Sequence, residues 1–330
     1  MEITTTIIIP NYNGMRFLED CICSLKTQTY PNFRILVVDN GSTDGSAEWL
    51  RERKIDTIFL SENTGFSGAV NAGIQASDTP YVILLNNDVR VDEYYVAEMI
   101  RAIGQSERIF SVSSRMIQMY HPELLDDAGD MYSVMGWAYQ RGVGQPIRRF
   151  RKPCRVFSAC AGAAIYRRVV FEEIGYFDEM HFAYLEDLDV GYRARIAGYD
   201  NVYCPGAVVW HVGSGTSGSR YNSFKVKLAA RNNVYVNYKN MPWPQLFINA
   251  VPIAAGIFLK YLFFRKLGYE KDYLEGLKEG VRTAGRCKKV PFRRKNLKQY
   301  AAIELELIAG AFLYVYEFAL RRMRKKESES

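Results

Sequence analysis

The chain has 330 residues, of which 48% are hydrophobic and 24% charged. This composition excludes collagen-like and disordered classes and fits one large α/β domain with an appendage, or two domains. Charge is divided unevenly, because residues 220–330 hold 23 Lys and Arg against 9 Asp and Glu, whereas residues 1–219 hold 20 against 27. The basic part also carries long apolar runs, which disfavours nucleic acid as its partner and favours an anionic membrane surface.

The chain enters its first apolar run without a basic segment or a signal-peptide cleavage pattern, so we expect a cytoplasmic protein. Six cysteines form no CxxC pair and show no zinc-ligand spacing. In a cytoplasmic chain this pattern indicates reduced thiols rather than a disulfide framework.

Four short apolar runs bounded by turn residues predict strands that are buried on both faces. They lie at residues 6–9, 35–38, 57–60 and 81–85. Helical patterns over residues 17–25, 46–53 and 68–76 separate them. This alternation predicts βαβ units in a parallel sheet, with residues 1–90 as a nucleotide-binding half.

The pattern is less regular after residue 90. A helix is predicted near residues 91–103 and strands near 110–116 and 156–166, around a loop-rich stretch over 126–153. A second block of motifs follows at residues 182–211. We therefore predict a catalytic domain over residues 1–219, with an acceptor half over 91–219, and a basic helical C-terminal region over 220–330.

Two nearly apolar segments of the C-terminal region, residues 245–264 and 301–320, have the length of a bilayer span. The first contains Lys260 and the second contains three glutamates, and such a charge in mid-span costs about 2–3 kcal/mol. We therefore expect amphipathic helices that lie in the membrane interface, assisted by the basic clusters at 293–295 and 321–326. The alternative is a helical cap that packs on the catalytic domain or on a second subunit.

Polar residues follow three of the predicted strands. They are Pro10, Asn11, Asn13, Asp39, Asn86, Asn87 and Asp88. Because parallel strands end at the same edge of a sheet, Asp39 can accept hydrogen bonds from a base or ribose, and Asp88 can bind a divalent cation that bridges a diphosphate. Each loop alone could be an ordinary turn, but their joint placement indicates an enzyme acting on a nucleotide-activated substrate.

Five motifs in this order resemble those of family 2 glycosyltransferases with the GT-A fold, especially rhamnosyltransferase-like and galactofuranosyltransferase-like members. The motifs are IIIPNYN at 7–13, VVDNGSTDG at 37–45, NTGF at 63–66, LLNND at 84–88 and LEDLD at 185–189. The resemblance covers about residues 4–235. It implies a Rossmann-like α/β fold with a mostly parallel central sheet, followed by a helical C-terminal extension. It also adds Asn63, Gly65 and Asn71 to the expected nucleotide-binding residues.

In the family, an Asp-x-Asp motif holds Mg²⁺ or Mn²⁺ against the diphosphate of the donor. This chain has Asn86 in place of the first Asp, so the resemblance makes Asp88 the expected carboxylate ligand and Asn86 a weaker participant. His211 lies 24 residues after Asp187, where it matches the metal-binding His of the family. A lone His is more often structural, but this position favours a ligand, and a His–Asp pair with diphosphate oxygens suits Mn²⁺ or Mg²⁺.

Glu186 and Asp187 fall in the first turn of a predicted helix. A helix N-terminus favours the anionic form of a carboxylate and opposes the rise in pKa that burial causes. By resemblance, Asp187 is the base that deprotonates the acceptor hydroxyl, with Glu186 as the neighbouring candidate. The alternative role, a helix cap or a partner of Arg193, is assigned to Glu186 and Asp189.

Five further residues are expected to contact the donor or the acceptor: Asp127, Ala161, Gly162, Arg220 and Arg231. The two arginines are available for the diphosphate. The glycine-rich stretch 213–218 matches GxGxxG but lacks a βαβ start, so we expect a loop that closes over the donor. Asp127 could equally belong to a plain turn, and Ala161 with Gly162 could serve tight packing alone.

These features predict an inverting, metal-dependent glycosyltransferase at the cytoplasmic membrane. It would move a sugar from dTDP-rhamnose or a UDP-sugar to a hydroxyl of a growing, lipid-linked glycan. One alternative is a polyprenyl-phosphate sugar synthase of the same fold, whose phosphate acceptor needs no base. Another is a catalytically silent subunit that binds sugar nucleotides and scaffolds a membrane complex.

Overall fold

The computed structural model describes residues 2–213 and 221–329, with side chains described as far as residue 320. Its first part alternates strands and helices: β1 (Thr5–Asn11), α1 (Met15–Leu25), β2 (Phe33–Asn40), α2 (Ser46–Glu52), β3 (Thr57–Leu60), α3 (Gly65–Gln75) and β4 (Tyr81–Leu85). β1 lies parallel between β2 and β4, and β3 extends the sheet beyond β2. The predicted parallel arrangement is confirmed, so β1, β2 and β4 end at one edge of the sheet.

The apolar runs that predicted these strands supply the core of the sheet. Ile7, Ile8 and Ile9 of β1 are fully buried, because helices cover both faces. Ile7 and Ile9 pack with α1 on one face, and Ile8 packs with α3 on the other. A continuous apolar run is therefore required at this position, whereas an edge strand needs only alternate apolar residues.

The second part completes the sheet with strands of both directions, since β12 lies parallel to β6 while the other added pairs are antiparallel. Its elements are β5 (Val89–Val91), α4 (Tyr95–Ile103), β6 (Ile109–Gln118), β7 (His121–Asp127), β8 (Asp130–Tyr132), β9 (Ala138–Gln140), β10 (Cys154–Val156), β11 (Ala163–Arg167), α5 (Arg168–Ile174), α6 (Glu186–Ala197) and β12 (Asp200–His211). The strand order is β10-β12-β6-β11-β4-β1-β2-β3, with β11 antiparallel to β4 and β6, while β8 and β9 form a separate pair. The strand predicted over residues 156–166 is divided into β10 and β11, and the segment between them lies against α6.

The C-terminal region is helical, as predicted. It contains α7 (Ser223–Asn240), α8 (Trp243–Ile248), α9 (Ala250–Leu267), α10 (Glu270–Thr283) and α11 (Leu297–Glu329). α7 packs against α6 and α10, and α11 packs against α6 and β8. The apolar segment 245–264 is thus divided between α8 and α9.

The glutamates of the segment 301–320 face the protein rather than its surroundings. Glu304 accepts a hydrogen bond of 2.6 Å from Gln245, Glu306 pairs with Arg195 at 3.2 Å, and Glu317 is buried. In the part of the chain that the structure describes, no helix combines the length and hydropathy needed to cross a membrane. The charges that argued against a span serve here to attach α11 to the rest of the protein.

Candidate active site

The three polar strand ends are joined by side-chain hydrogen bonds. Asn87 donates to Asn11 Oδ1 at 2.7 Å, and Asn11 donates to Asp39 Oδ2 at 3.0 Å. Gly14 makes this approach possible, since a Cβ atom there would lie 1.8 Å from Asn87 Nδ2. Asn11 and Asp39 are almost completely buried and face each other. Asn11 therefore bridges Asp39 and Asn87 by hydrogen bonds and holds both side chains in position.

Asn13 and Pro10 flank this chain of hydrogen bonds. Asn13 has a left-handed backbone with φ of 50°, and its Oδ1 accepts a hydrogen bond of 2.8 Å from the backbone N–H of Thr43. Pro10 lies within β1, opposite Val38 of β2. Hydrogen bonding therefore joins the loop after β1 to the loop after β2, at the edge of the sheet where a nucleotide was predicted to bind.

Strand pairing brings His211 beside Asp88. β12 runs antiparallel to β5 with His211 opposite Val89, the residue after Asp88. His211 Nε2 lies 3.3 Å from Asp88 Oδ1, and His211 Nδ1 lies 2.6 Å from Asp126 Oδ2. Burial alone would lower the pKa of His211, but the hydrogen bonds to Asp126 and Asp88 raise it to about 10.

This arrangement fits a divalent cation. A metal-ligating His usually donates its other ring N–H to a carboxylate, which fixes the ring, and Asp126 supplies that carboxylate to His211. Asp88 is only 6% exposed and contributes the oxygen donor. One imidazole and one carboxylate, together with diphosphate oxygens, suit Mn²⁺ or Mg²⁺. The backbone of Asn86 forms hydrogen bonds with Gly162 and Cys21, and its predicted role as a weaker metal ligand stays a prediction.

The sequence did not assign this role to Asp126. It singled out the adjacent Asp127, which is fully buried and accepts a hydrogen bond from the Gly129 N–H. The positions of both follow from the pairing of β7 with β6, where Asp127 lies opposite Met116. Alternation along β7 would have placed the two on opposite faces once that strand was known.

A second group of potential ligands lies beneath the site. Atoms of Asp127, Asp130 and Cys160 lie within 4.8 Å of one another. Burial raises the pKa of Asp127 to about 8 and raises the pKa values of Asp130 and Cys160 well above their usual range. This group is a second candidate set of ligands, whereas Asp88 and His211 are the pair that the sequence predicted.

Asp187 lies in the first turn of α6, next to the segment between β10 and β11. Its Oδ2 accepts a hydrogen bond of 3.2 Å from the Ala161 N–H, and its Oδ1 accepts one of 2.7 Å from the Leu188 N–H. Burial raises the pKa of Asp187, while these N–H groups and a hydrogen bond with Asp130 limit the rise. Asp187 is thus a carboxylate more basic than an exposed Asp.

Gly162 and Ala161 connect the two halves of the site. The Gly162 carbonyl accepts a hydrogen bond of 2.8 Å from the Asn86 N–H, while the Ala161 N–H binds Asp187. The end of β4 and the start of α6 are therefore held by two consecutive residues. These small residues were predicted to let a sugar approach, and the structure places them between Asn86 and Asp187.

The acidic residues on either side of Asp187 have different environments. Glu186 is buried, and burial raises its pKa well above the usual range. Burial would also raise the pKa of Asp189, but Lys239 and Arg193, at 2.8 and 2.9 Å, hold it far below normal. The predicted pairing of Asp189 with Arg193 is present. Asp189 is therefore an ion-paired anion, whereas burial favours the protonated form of Glu186.

The loop before Asp187 is held in a strained conformation. Phe182, Tyr184 and Leu185 have φ values of 63°, 70° and 66°, which non-glycine residues adopt only where their surroundings impose them, often at active sites. Asn232 of α7 donates from Nδ2 to the carbonyls of His181, Ala183 and Tyr184 at 2.7–2.9 Å. No sequence pattern pointed to Asn232, because its partners are carbonyl groups of a distant loop.

Asn63 and Gly65 support the same loop. Asn63 Oδ1 accepts a hydrogen bond of 2.9 Å from the Gly65 N–H. Gly65 has φ of 76°, and a Cβ atom there would lie 2.4 Å from the carbonyl oxygen of Phe182. Only glycine allows this contact between the start of α3 and the loop.

Two other predicted binding residues are engaged away from the Asp88–His211 pair. Asn71 binds the backbone of Phe177 through both ends of its amide, at 2.8 and 3.0 Å. Arg231 pairs with Glu279 at 3.1 Å and donates to the carbonyls of Met180 and His181. Arg220 and most of the glycine-rich stretch 213–218 lie outside the described residues.

Residues 6–175 match the family model described as Glycosyl transferase family 2. This match spans more than half of the chain and includes the strand-end motifs. The chain therefore belongs to glycosyl transferase family 2.

Curated relatives share part of their length with this chain. The uncharacterized protein y4gI of Sinorhizobium fredii is 27% identical over 254 residues, covering 72% of this chain and 27% of the relative. Poly-beta-1,6-N-acetyl-D-glucosamine synthase of Staphylococcus epidermidis is 22% identical over 210 residues, covering 62% of this chain and 49% of the synthase. The chain thus spans at most about half the length of these relatives.

Solved structures share the fold at low sequence identity. S. aureus TarS 1-349 in complex with UDP-GlcNAc has a TM-score of 0.58 at 15% identity, covering 85% of this chain and 81% of TarS 1-349. The mannosyltransferase PcManGT of Pyrobaculum calidifontis, in complex with GDP-Man and Mn²⁺, has a TM-score of 0.54 at 14% identity, covering 96% and 88%. These similarities show the predicted GT-A fold.

Proposed function

We propose that this glycosyltransferase inverts the anomeric centre of its donor sugar. The donor would be a nucleotide-diphosphate sugar, dTDP-rhamnose or a UDP-sugar, and the acceptor a hydroxyl of a growing glycan. The observation that carries the proposal is the environment of Asp187, a half-buried carboxylate of raised pKa in the first turn of α6, held by the Ala161 and Leu188 N–H groups. The nucleotide sugars bound by TarS 1-349 and PcManGT support the donor class.

In this reaction Asp187 accepts the proton of the acceptor hydroxyl. The hydroxyl oxygen then attacks the anomeric carbon from the face opposite the nucleotide. The bond between that carbon and the phosphate oxygen breaks, and its electron pair leaves with the nucleotide diphosphate. A positioned base of this kind typically contributes about 10²–10⁴-fold to the rate. The Ala161 and Leu188 N–H groups fix the carboxylate for this transfer.

Asp88 and His211 would hold a divalent cation, Mn²⁺ or Mg²⁺, which when bound neutralises the charge that develops on the leaving diphosphate. Asp126 fixes the His211 ring for this role. The linked residues Asn87, Asn11 and Asp39 would position the nucleoside end of the donor at the same edge of the sheet. The Mn²⁺ bound to PcManGT supports the choice of cation.

We further propose that the acceptor is lipid-linked and is presented at the cytoplasmic face of a membrane. The basic C-terminal region, with 23 Lys and Arg against 9 Asp and Glu, supports this location. It would keep the catalytic domain near an acceptor that diffuses in the bilayer plane.

Paired substitutions of the adjacent carboxylates test the base. Asp187→Asn keeps the shape and removes the basicity, so kcat should fall by about 10²-fold or more with donor affinity unchanged. Glu186→Gln is the matched control, because it makes the same change at the neighbouring carboxyl group, whose protonated form burial favours. Its kcat should stay within about 10-fold of the wild type. Thermal-shift screening of UDP-, dTDP- and GDP-sugars with Mn²⁺ would first identify the donor.

Each contrary result has a distinct meaning. Equal losses in the two variants would show that the assignment of the base is wrong. Full activity in Asp187→Asn would favour a phosphate acceptor, as in a polyprenyl-phosphate sugar synthase. Donor binding without transfer to any acceptor would favour a silent subunit.

A further inference from the structure

Three aromatic side chains project from the surface around α8. Trp243, Phe247 and Phe292 are 67%, 83% and 50% exposed. Trp243 and Phe292 line one groove, Trp243 and Phe247 line a second, and Pro244 lines both. The three rings thus belong to one continuous surface, which we name the α8 platform. Monomeric proteins seldom expose a cluster of large aromatic side chains unless it binds something.

The platform rests on a well-packed base. Leu246 and Val290 pack with the buried Met241 in the core beneath it. Lys289 donates to the Met241 carbonyl at 2.8 Å, and the Val290 N–H donates to the Lys239 carbonyl at 2.9 Å. The outward position of the rings is therefore built into the fold, because the residues beside them are fixed from below.

Positive charge borders the platform. The chain carries eight Lys and Arg and no acidic residue between Glu279 and Glu304. Arg293, Arg294 and Lys295 follow Phe292 directly and are exposed. Within the described residues none of the three forms an ion pair, so their charge is available to an external partner.

We propose that the α8 platform docks on an anionic lipid surface. Aromatic rings enter the headgroup region, where their apolar bodies are buried, and neighbouring Lys and Arg contact anionic headgroups. Charge complementarity selects this occupant over a second copy of the chain, because a two-fold contact would oppose two copies of the same basic border.

A hydrogen bond and a short chain segment connect the α8 platform to α6, the helix that carries Asp187. Asn240 at the end of α7 donates to Asp189 Oδ1 at 2.8 Å, two residues beyond Asp187. Trp243 begins α8 three residues after Asn240. Docking would therefore hold α6 in a defined position relative to the membrane. Only this last step rests on the proposed function, since lipid binding itself requires no catalysis.

Vesicle co-sedimentation of the full chain tests the docking. Binding should be stronger to vesicles with about one-third phosphatidylglycerol than to phosphatidylcholine alone, and it should weaken at about 1 M salt. The triple variant Arg293→Gln, Arg294→Gln, Lys295→Gln should bind anionic vesicles about 100-fold less, at roughly fivefold per charge. Trp243→Ser with Phe247→Ser should lower binding by about 10-fold or more.

Matched controls change equal numbers of exposed residues elsewhere. Lys26→Gln, Lys54→Gln and Lys152→Gln remove the same charge, and Tyr94→Ser with Val169→Ser removes exposed apolar area. Both controls should bind vesicles within about twofold of the wild type. Circular dichroism confirms that each variant is folded.

Several results would overturn the proposal. They are absence of vesicle binding by the wild type, equal losses in the control and platform variants, and indifference to lipid charge. Dimers that dissociate in the aromatic variant, without lipid selectivity, would identify the platform as an interface between copies. Transfer to a water-soluble acceptor, measured on each variant, should be unchanged. This readout separates a failure of lipid docking from a failure of glycosyl transfer.

Discussion

Substitution of Asp189 by Asn tests how the C-terminal helices stabilise α6, the helix that carries Asp187. Asp189 of α6 is fully buried between Lys239 of α7, at 2.8 Å, and Arg193, at 2.9 Å. Asn240 of α7 donates to its other oxygen at 2.8 Å. The substitution keeps the shape of the side chain and removes the charge that two buried cations face.

The expected loss of stability is large. Removing one partner of a buried ion pair leaves an uncompensated charge and typically costs about 3–5 kcal/mol. Lys239 keeps its contact with Asp178 at 2.7 Å, and Arg193 keeps hydrogen bonds to the carbonyls of Ile174 and Gly175. Because of these remaining contacts, we expect the free energy of unfolding to fall by about 3 kcal/mol, at the lower end of that range.

Urea unfolding at neutral pH measures this difference. The matched control is Asp78→Asn, which removes the carboxylate from an ion pair with Arg34 at 3.2 Å whose Asp side chain is 88% exposed. The control should cost at most about 1 kcal/mol, because exposed pairs contribute little. A loss below about 1 kcal/mol for Asp189→Asn would refute the reasoning, since it would mean that the buried cations find other compensation.

Two further predictions concern pH. Mn²⁺ binding should release close to one proton at neutral pH, because His211 with a pKa of about 10 is protonated without metal; calorimetry in buffers of different ionisation enthalpy measures this, and His211→Asn should abolish it. Burial lowers the pKa of His181 to about 4. The unfolded chain therefore binds the proton first, and stability should fall by up to about 3 kcal/mol between roughly pH 6.5 and pH 4. His181→Gln should flatten this fall in urea titrations, whereas substitution of the exposed His121 should not.

Local patterns were sufficient to predict the parallel part of the sheet. The runs at residues 6–9, 35–38, 57–60 and 81–85 lie within β1–β4. Strands covered by helices on both faces need continuous apolar residues, and turn residues mark their ends, so both signals are written in consecutive positions. Topology then requires the ends of β1, β2 and β4 to meet, which explains why Asn11, Asp39 and Asn87 were found together.

Local patterns did not predict the partners of those polar residues. Asn11 offers a donor and an acceptor, and nothing within a few positions of it shows whether they face a nucleotide or Asp39. Likewise, the sequence alone was compatible with a contact between Arg231 and a diphosphate. In the structure α7 packs against α10, and Arg231 pairs with Glu279. Such choices depend on which remote groups the packing brings within about 3 Å.

The pair proposed to bind the metal, Asp88 and His211, likewise combines residues that the sequence indicated with a contact that only the structure shows. The strand-end motif and the spacing indicated Asp88 and His211 from residue type and order alone. The contact between His211 and Asp126, across 85 residues of chain, depends on β12 pairing with β5 and β6, and on β7 pairing with β6. A shift of one residue in any of these pairings would turn the side chain to the opposite face.

The sequence predicted that the C-terminal region is basic and helical, but it did not predict which of its side chains face the protein. Its basic charge and apolar runs were evident, yet the glutamates of α11 face the protein while Trp243 and Phe247 face outward. A helical sequence states which residues share a face, but not which face a neighbouring element will cover. The sequence alone therefore predicted the main helices and strands and the chemistry of their side chains. Which of those side chains face the protein and which face outward depends on packing between elements that are far apart in the sequence.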